Sequence, residues 1–153
     1  MTKIYLAGSC GIERRTEMKR IASALRAKGY SVYCPFELKI ENAWDYSQEE
    51  WSEKVFIADT MAIDSCDIFV MISPGRVSTA GTNWEQGYAY ANGKKILVIQ
   101  YTTEPASLMT FCGCNYFMTI DNINEIAESV ETFVYLSNCA DHKFIKHSEV
   151  TLT

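Results

Sequence analysis

The stretch Asp67-Ile68-Phe69-Val70-Met71-Ile72 is apolar at every position after its first. A strand with water on one face alternates apolar and polar residues, whereas an unbroken apolar run of this length fits a parallel strand covered by helices on both faces. Runs of the same kind occur at Lys3-Ile4-Tyr5-Leu6-Ala7-Gly8 and over residues 95–101, with shorter strands expected at 30–34, closed by Pro35, and 116–120. Helical periodicities fill the intervals. Met18, Ile21, Ala22 and Leu25 recur at helical spacing over residues 14–28, and Lys28-Gly29 supplies a basic last turn and a glycine stop. Over residues 47–64 the repeat is Trp51, Val55, Ala58, Met61 and Ala62, with Ser47 and Glu50 spaced for a capping box. Further helices are expected over 82–92 and 122–137, and a loop between 101 and 116. Strands alternating with helices through short connections define an α/β fold: a doubly wound, flavodoxin- or Rossmann-like parallel sheet of about five strands flanked by helices.

The 153 residues, 48% of them hydrophobic, suffice for one core, and we expect a single domain over 1–141 followed by a tail over 142–153. A formal net charge of -5 argues against duplex nucleic acid as partner, because that requires a basic face to displace phosphate counterions. A small molecule is the expected ligand. The apolar runs at 68–72 and 96–99 are too short to cross a bilayer, and Met1-Thr2-Lys3 leads into a strand instead of a signal peptide, so no membrane association and a cytoplasmic location are expected. The six cysteines are scattered through a chain large enough to fold without staples, and we read them as free thiols. Cys112-Gly113-Cys114 is the only close pair; without a second Cys or His cluster at metal-ligand spacing, no metal and no cofactor are expected.

In a doubly wound sheet the ligand lies beyond the carboxyl ends of the strands. That rule selects residues 8–15, the loop 36–46 and residues 73–85. Within the last of these, Glu85 is expected in the first turn of its helix, where free amides favour an anion, although acidic residues are common in first turns for stability alone. The small residues Gly81, Gly87, Ala89 and Ala91 allow close backbone approach there. Asp59 lies near the end of its helix and is ambiguous on spacing alone, while Asp67 opens its strand at the opposite end and reads as structural. Tyr5 lies within the first strand, where core packing is its ordinary role and a buried hydroxyl needs a partner. The turn Gly8-Ser9-Cys10-Gly11, with Arg14 and Arg15 just beyond, combines amides, a hydroxyl and cations suited to phosphate; the spacing does not match the dinucleotide fingerprint. Phe36, Trp44 and Tyr46 could stack on a purine or a pyrimidine.

Three groups of residues carry a resemblance: the opening Lys3-Ile4-Tyr5-Leu6-Ala7-Gly8, the pair Asp59 and Asp67, and above all Gly81-Thr82-Asn83-Trp84-Glu85-Gln86-Gly87-Tyr88-Ala89 followed by Gly93-Lys94-Lys95. Together they resemble the nucleoside 2-deoxyribosyltransferase family from the first strand to about Ile120. The resemblance implies that Glu85 attacks the anomeric carbon as nucleophile, that Tyr5 orients it, and that Asp59 meets the base and helps it leave neutral. Two departures bear on substrate. The transferases carry an aspartate six residues before the nucleophile, where this chain has Thr79, and an asparagine before Leu-Met, where it has Ser107 before Leu108-Met109. In the transferases those residues hold the sugar 5′-hydroxyl. An aspartate there would repel a phosphate dianion, whereas hydroxyls can donate to it.

Related nucleoside monophosphate N-hydrolases and CMP N-glycosidases show this kind of substitution, with a Gly-Ser turn similar to Gly8-Ser9. The expected activity is therefore hydrolysis of a nucleoside 5′-monophosphate, with Gly8, Ser9, Arg14, Thr79, Gly81, Ser107, Met109 and Trp44 as substrate contacts. Ser78 is an alternative to Thr79. The rival readings are a deoxyribosyltransferase acting on unphosphorylated nucleosides and a nucleotide-binding protein without catalysis. The resemblance also implies a homodimer or larger homo-oligomer with shared sites, Ser107 reaching the neighbour's pocket; Trp84, Tyr88 and Tyr90 suit such a contact or ordinary core equally. The base, and ribose against 2′-deoxyribose, stay open.

Overall fold

The computed structural model describes residues 1–8, 12–139 and 151–153, the first two residues of the second segment by backbone alone. Five strands, β1 (Lys3–Gly8), β2 (Ser31–Tyr33), β3 (Ile68–Ser73), β4 (Lys95–Gln100) and β5 (Tyr116–Thr119), form one parallel sheet in the order β2-β1-β3-β4-β5. The helices are α1 (Ile12–Ala27), α2 (Gln48–Ser65), α3 (Ala80–Ala91), α4 (Leu108–Cys112) and α5 (Ile126–Ser137). This is the flavodoxin-like strand order, in which chain direction across the sheet reverses between β1 and β3 and opens a crevice there.

Side-chain alternation divides the core in two. Ile4 and Leu6, with Ile68, Val70 and Ile72, face the buried stripes of α1 and α5. Tyr5 and Ala7, with Phe69 and Met71, face the opposite way, into the layer that contains Ile63 of α2 and Ala89 of α3. Period two along β1 therefore sends Tyr5 towards α2 and α3 while its neighbours fill the other core.

The capping box forms as spaced: Ser47 Oγ accepts from Glu50 N at 3.2 Å, and Ser47 N donates to Glu50 Oε2 at 2.8 Å. Element ends differ from expectation where side chains compete for backbone groups. α3 begins at Ala80 because Thr79 is its N-cap, its hydroxyl accepting from Thr82 N, so Glu85 lies in the second turn and not the first. β2 stops at Tyr33 because Pro35 opens a 3₁₀ turn. The expected loop between β4 and β5 contains the short helix α4. Thr151 and Thr153 pair with Ala106 and Leu108 through backbone hydrogen bonds of 2.8–3.1 Å, so the end of the expected tail is docked on the loop that follows β4. Among the described residues no cysteine is in a disulfide, and no helix is long and apolar enough to cross a membrane.

Candidate active site

Tyr33, Tyr5 and Phe69 occupy one register position on three adjacent strands. Their rings form a row: Tyr5 stacks on Tyr33 at 5.4 Å and 21°, and on Phe69 at 5.3 Å and 8°. Each hydroxyl in the row meets a carboxylate on the covering helices. Tyr5 donates to Glu85 Oε1 at 2.9 Å, and Tyr33 donates to Asp59 Oδ1 at 2.7 Å. The first contact joins β1 to α3 and the second joins β2 to α2, so the stack sets the spacing of two carboxylates that belong to different helices. A further tie fixes the start of α3 against β1, since buried Thr82 donates from Oγ1 to the Gly8 carbonyl at 3.0 Å.

Burial holds the Glu85 carboxyl up to about 7; the Tyr5 hydrogen bond pulls it down, and the nearby Asp59 charge pushes it up again. The expected first-turn stabilisation of its anion is therefore corrected: Glu85 is beyond the helix's free amides, and desolvation dominates. Asp59 is also raised by burial, against the lowering effect of the Tyr33 hydrogen bond. Tyr5 stays protonated throughout the physiological range, because burial and the two carboxylates all oppose its ionisation. Burial thus raises both carboxyls in one partly desolvated site, and the Asp59 charge raises Glu85 further.

Glu85 and Asp59 lie where two cavities meet. The first is a cleft of about 320 Å³, lined by the polar group Arg15, Thr79 and Thr82 beside Gly8 and by the apolar side chains of Phe36, Leu38 and Trp51. The second, of about 390 Å³, shares Trp51, Val55, Asp59, Gly81 and Glu85 with the first and continues past Phe56 and Trp84. A Cβ on Gly81 would meet nothing, which keeps this junction open. A groove of about 380 Å³ between α1 and α5, lined by Arg20, Ala24 and Ala127, contains Glu17 but no facing pair of carboxylates.

The remaining expected contacts are distributed differently. Arg14 is not on the cleft: its guanidinium lies 4.1 Å from the Tyr101 ring centroid and 3.6 Å from Glu17, while Arg15, one residue on, lines the cleft. Helical geometry makes that difference, since consecutive residues point about 100° apart. Trp44, in a 3₁₀ turn, is 96% exposed and away from the cleft, whereas Trp51 on α2 lines it. Tyr46 stacks under Lys54, and Asp67 accepts from Lys3 N at the opposite end of the sheet. Thr79 lines the cleft, while the Ser78 hydroxyl is engaged with Asn83. Ser107 and Met109 line a separate cavity of about 360 Å³ beside Gln86 and Tyr90. Ser9 lies outside the described residues. Trp84 and Tyr90 are 49% and 65% exposed, and so are not core. Tyr33 and Thr82 were not singled out from sequence; their one legible signal was strand alternation, which puts Tyr33 on the Tyr5 side of the sheet. Among the described residues no cluster of three or more His, Cys, Asp or Glu could hold a metal.

Two tyrosine-bound carboxylates in the switch-point crevice of a parallel sheet equip a class of enzyme that does nucleophilic or acid–base chemistry on a small ligand. The chain matches the model of the nucleoside 2-deoxyribosyltransferase family over residues 4–146, and it belongs to that family. Its activity is of the nucleoside deoxyribosyltransferase or N-glycosidase type. Among solved structures it is similar to the 2-deoxyribosyltransferase of Bacillus psychrosaccharolyticus, with 27% identity, a TM-score of 0.68, and coverage of 82% of this chain and 90% of that one. The CMP N-glycosidase BcmB of Clostridium botulinum shares the fold at 20% identity and TM-score 0.57, over 86% of this chain and 99% of that one. A conserved protein of Enterococcus faecalis V583 does so at 20% and 0.58, over 87% and 99%. A comparison with curated proteins found no match.

Proposed function

We propose that the chain hydrolyses the N-glycosidic bond of a nucleoside 5′-monophosphate through a covalent glycosyl-Glu85 intermediate, releasing free base and (deoxy)ribose 5-phosphate. One Glu85 oxygen attacks C1′ as the C1′–N bond breaks and its electron pair passes to the base. Asp59 supplies the proton that lets the base leave neutral. Water then attacks C1′ from the vacated side, Asp59 takes its proton, and the ester bond to Glu85 breaks. Tyr5 keeps the nucleophile oriented through its 2.9 Å hydrogen bond.

The observation that carries the phosphorylated substrate is the polar part of the cleft lining, the cation of Arg15 and the hydroxyl of Thr79. Arg15 is a charged donor, and the Thr79 hydroxyl, which donates to Thr82 Oγ1 while Thr82 donates to the Gly8 carbonyl, becomes one by turning to a phosphate dianion, an acceptor at every oxygen. The base would lie against Trp51 and Phe36. A panel of nucleosides and their monophosphates, with and without an acceptor base, tests this reading. Removal of the 5′-phosphate is expected to lower kcat/KM by about a hundredfold or more, a loss matching several charge-assisted hydrogen bonds. Equal rates on both would refute it.

The transferase reading is supported by the 27% identical deoxyribosyltransferase. It predicts exchange product when a second base is supplied, where the hydrolase reading predicts base and sugar phosphate alone. A homodimer with shared sites is part of the proposal. It is supported by the exposed rings of Phe56 and Trp84 and by the separation of Ser107 from its own chain's cleft.

A further inference from the structure

We propose that Tyr33 is a positioning residue for the acid–base carboxylate, holding Asp59 by one oxygen so that the other is presented to the departing base. The inference rests on the hydrolytic reading above. Tyr33 ends β2, and its hydroxyl donates to Asp59 Oδ1 at 2.7 Å. Among the described residues it is the one side chain that hydrogen-bonds Asp59, which leaves Oδ2 for the ligand. The Tyr33 ring cannot swing freely, because it is stacked on Tyr5 at 5.4 Å, and Tyr5 is fully buried and itself stacked on Phe69.

The two tyrosines thus act as a matched pair. Tyr5 holds the nucleophile and Tyr33 holds the proton donor, and the contact between their rings places the two hydroxyls relative to each other. An aspartate side chain rotates about two bonds, and a mobile acid spends little time in line with the nitrogen it must protonate. One short hydrogen bond removes that freedom while keeping the proton-carrying oxygen clear. Among the described residues, the charged and titratable groups near Asp59 are Glu85 from α3, Tyr5 from β1 and Tyr33 itself, with Arg15 from α1 lining the same cleft. Of these, the Tyr33 hydroxyl is the one in direct contact, and it favours the ionised form of Asp59.

The test is Tyr33→Phe, which keeps the ring and its stack and deletes the donor. Two measurements are made. The first is a carbon-13 titration of the Asp59 carboxyl in the parent and in the variant; the titration is expected to move to higher pH in Tyr33→Phe, and an unmoved titration overturns the proposal. The second compares kcat/KM for release of the leaving group, which reports the first half-reaction alone, between a natural monophosphate and an analogue whose leaving group departs as a stable anion and needs no proton. We expect a loss of about tenfold or more on the first substrate and less than about threefold on the second, within the range of general acid catalysis. Equal loss on both, or loss on neither, overturns it. Should Tyr33→Phe not fold, 3-fluorotyrosine at position 33 strengthens the donor in an otherwise intact chain, and the Asp59 titration should then fall; no change overturns the proposal. If the parent protein cleaves no nucleotide the hydrolytic reading fails, while the carboxyl titration still decides whether Tyr33 governs Asp59.

Discussion

The Tyr5 hydroxyl donates to Glu85 Oε1 at 2.9 Å, across 80 residues of sequence. Each group answers a need of the other. A phenol that is fully buried requires an acceptor, and a carboxylate raised by burial gains a donor that favours its anion.

The sign of that exchange can be measured. The Tyr5 hydrogen bond lowers the Glu85 pKa, opposing burial and the Asp59 charge, so Tyr5→Phe lets the carboxyl hold its proton to higher pH than about 7. In the parent, Glu85 loses its proton near that value, and kcat/KM is expected to rise through it as the nucleophile ionises. In Tyr5→Phe the plateau should drop by about 10- to 100-fold and that rising limb should move to higher pH. Profiles of kcat/KM against pH for both proteins check this.

Glu85→Gln should be inactive and more stable. The folded pKa of Glu85 is raised from 4.5 to about 7, so between those values the native state binds more protons than the unfolded chain, and stability is lost as pH rises through the window. Glutamine keeps an acceptor for Tyr5 and has no charge to bury. The variant should exceed the parent by on the order of 1–3 kcal/mol at pH 8, with a gap that closes towards pH 4.5. Urea melts at the two pH values measure it.

Strand and helix placement was legible because it depends on local pattern: the apolar run from Ile68 to Ile72 is short for a helix and fits a strand buried on both faces, and β3 lies there. The tyrosine–carboxylate pairs were not legible from spacing, since Tyr5, Tyr33, Asp59 and Glu85 lie on four different elements and meet only through sheet register. Glu85 was singled out by its loop and by resemblance, but its place in the first turn was misjudged because Thr79 was not recognised as the N-cap. Trp44 is expected in a loop near the ligand and Trp51 only in the repeat of a long helix, whereas the cleft takes the helical tryptophan and the Trp44 ring is exposed.

Arg15 and Arg14 should differ in their effect on substrate choice. Arg15→Ala is expected to lower kcat/KM on a nucleoside monophosphate by about tenfold or more and to leave the unphosphorylated nucleoside within about twofold, since it removes one charge-assisted contact. Arg14→Ala, which loses only the Tyr101 ring and Glu17, should change neither. Rates on the two substrates for both variants decide the assignment.

The two tryptophans offer a parallel contrast. Trp51→Ala should raise KM by about tenfold through lost base stacking, which is worth roughly 1–3 kcal/mol per base. Trp44→Ala should leave KM unchanged, because that ring is in solvent. Steady-state kinetics with one monophosphate is sufficient.

Shared sites make a prediction that a monomeric enzyme cannot meet. Trp84 stacks on Tyr88 at 5.3 Å and leans on Phe56 at 5.2 Å, yet remains half exposed, and so presents a rigid apolar surface beside the catalytic cavity. Met109, 77% exposed beside Ser107, extends from α4, away from its own chain's cleft. If a second copy covers this surface, Glu85→Ala spoils a site from within and Ser107→Arg spoils one from the neighbouring chain. Each homodimer would then be inactive. In a mixed dimer one site carries both defects and the other carries neither, so unfolding and refolding the two variants together should recover about a quarter of the parent activity under random pairing of two-fold dimers. Trp84→Glu should yield monomers by light scattering, with activity lost in step. No recovery on mixing, together with a fully active Trp84→Glu monomer, would mean that each chain completes its own site.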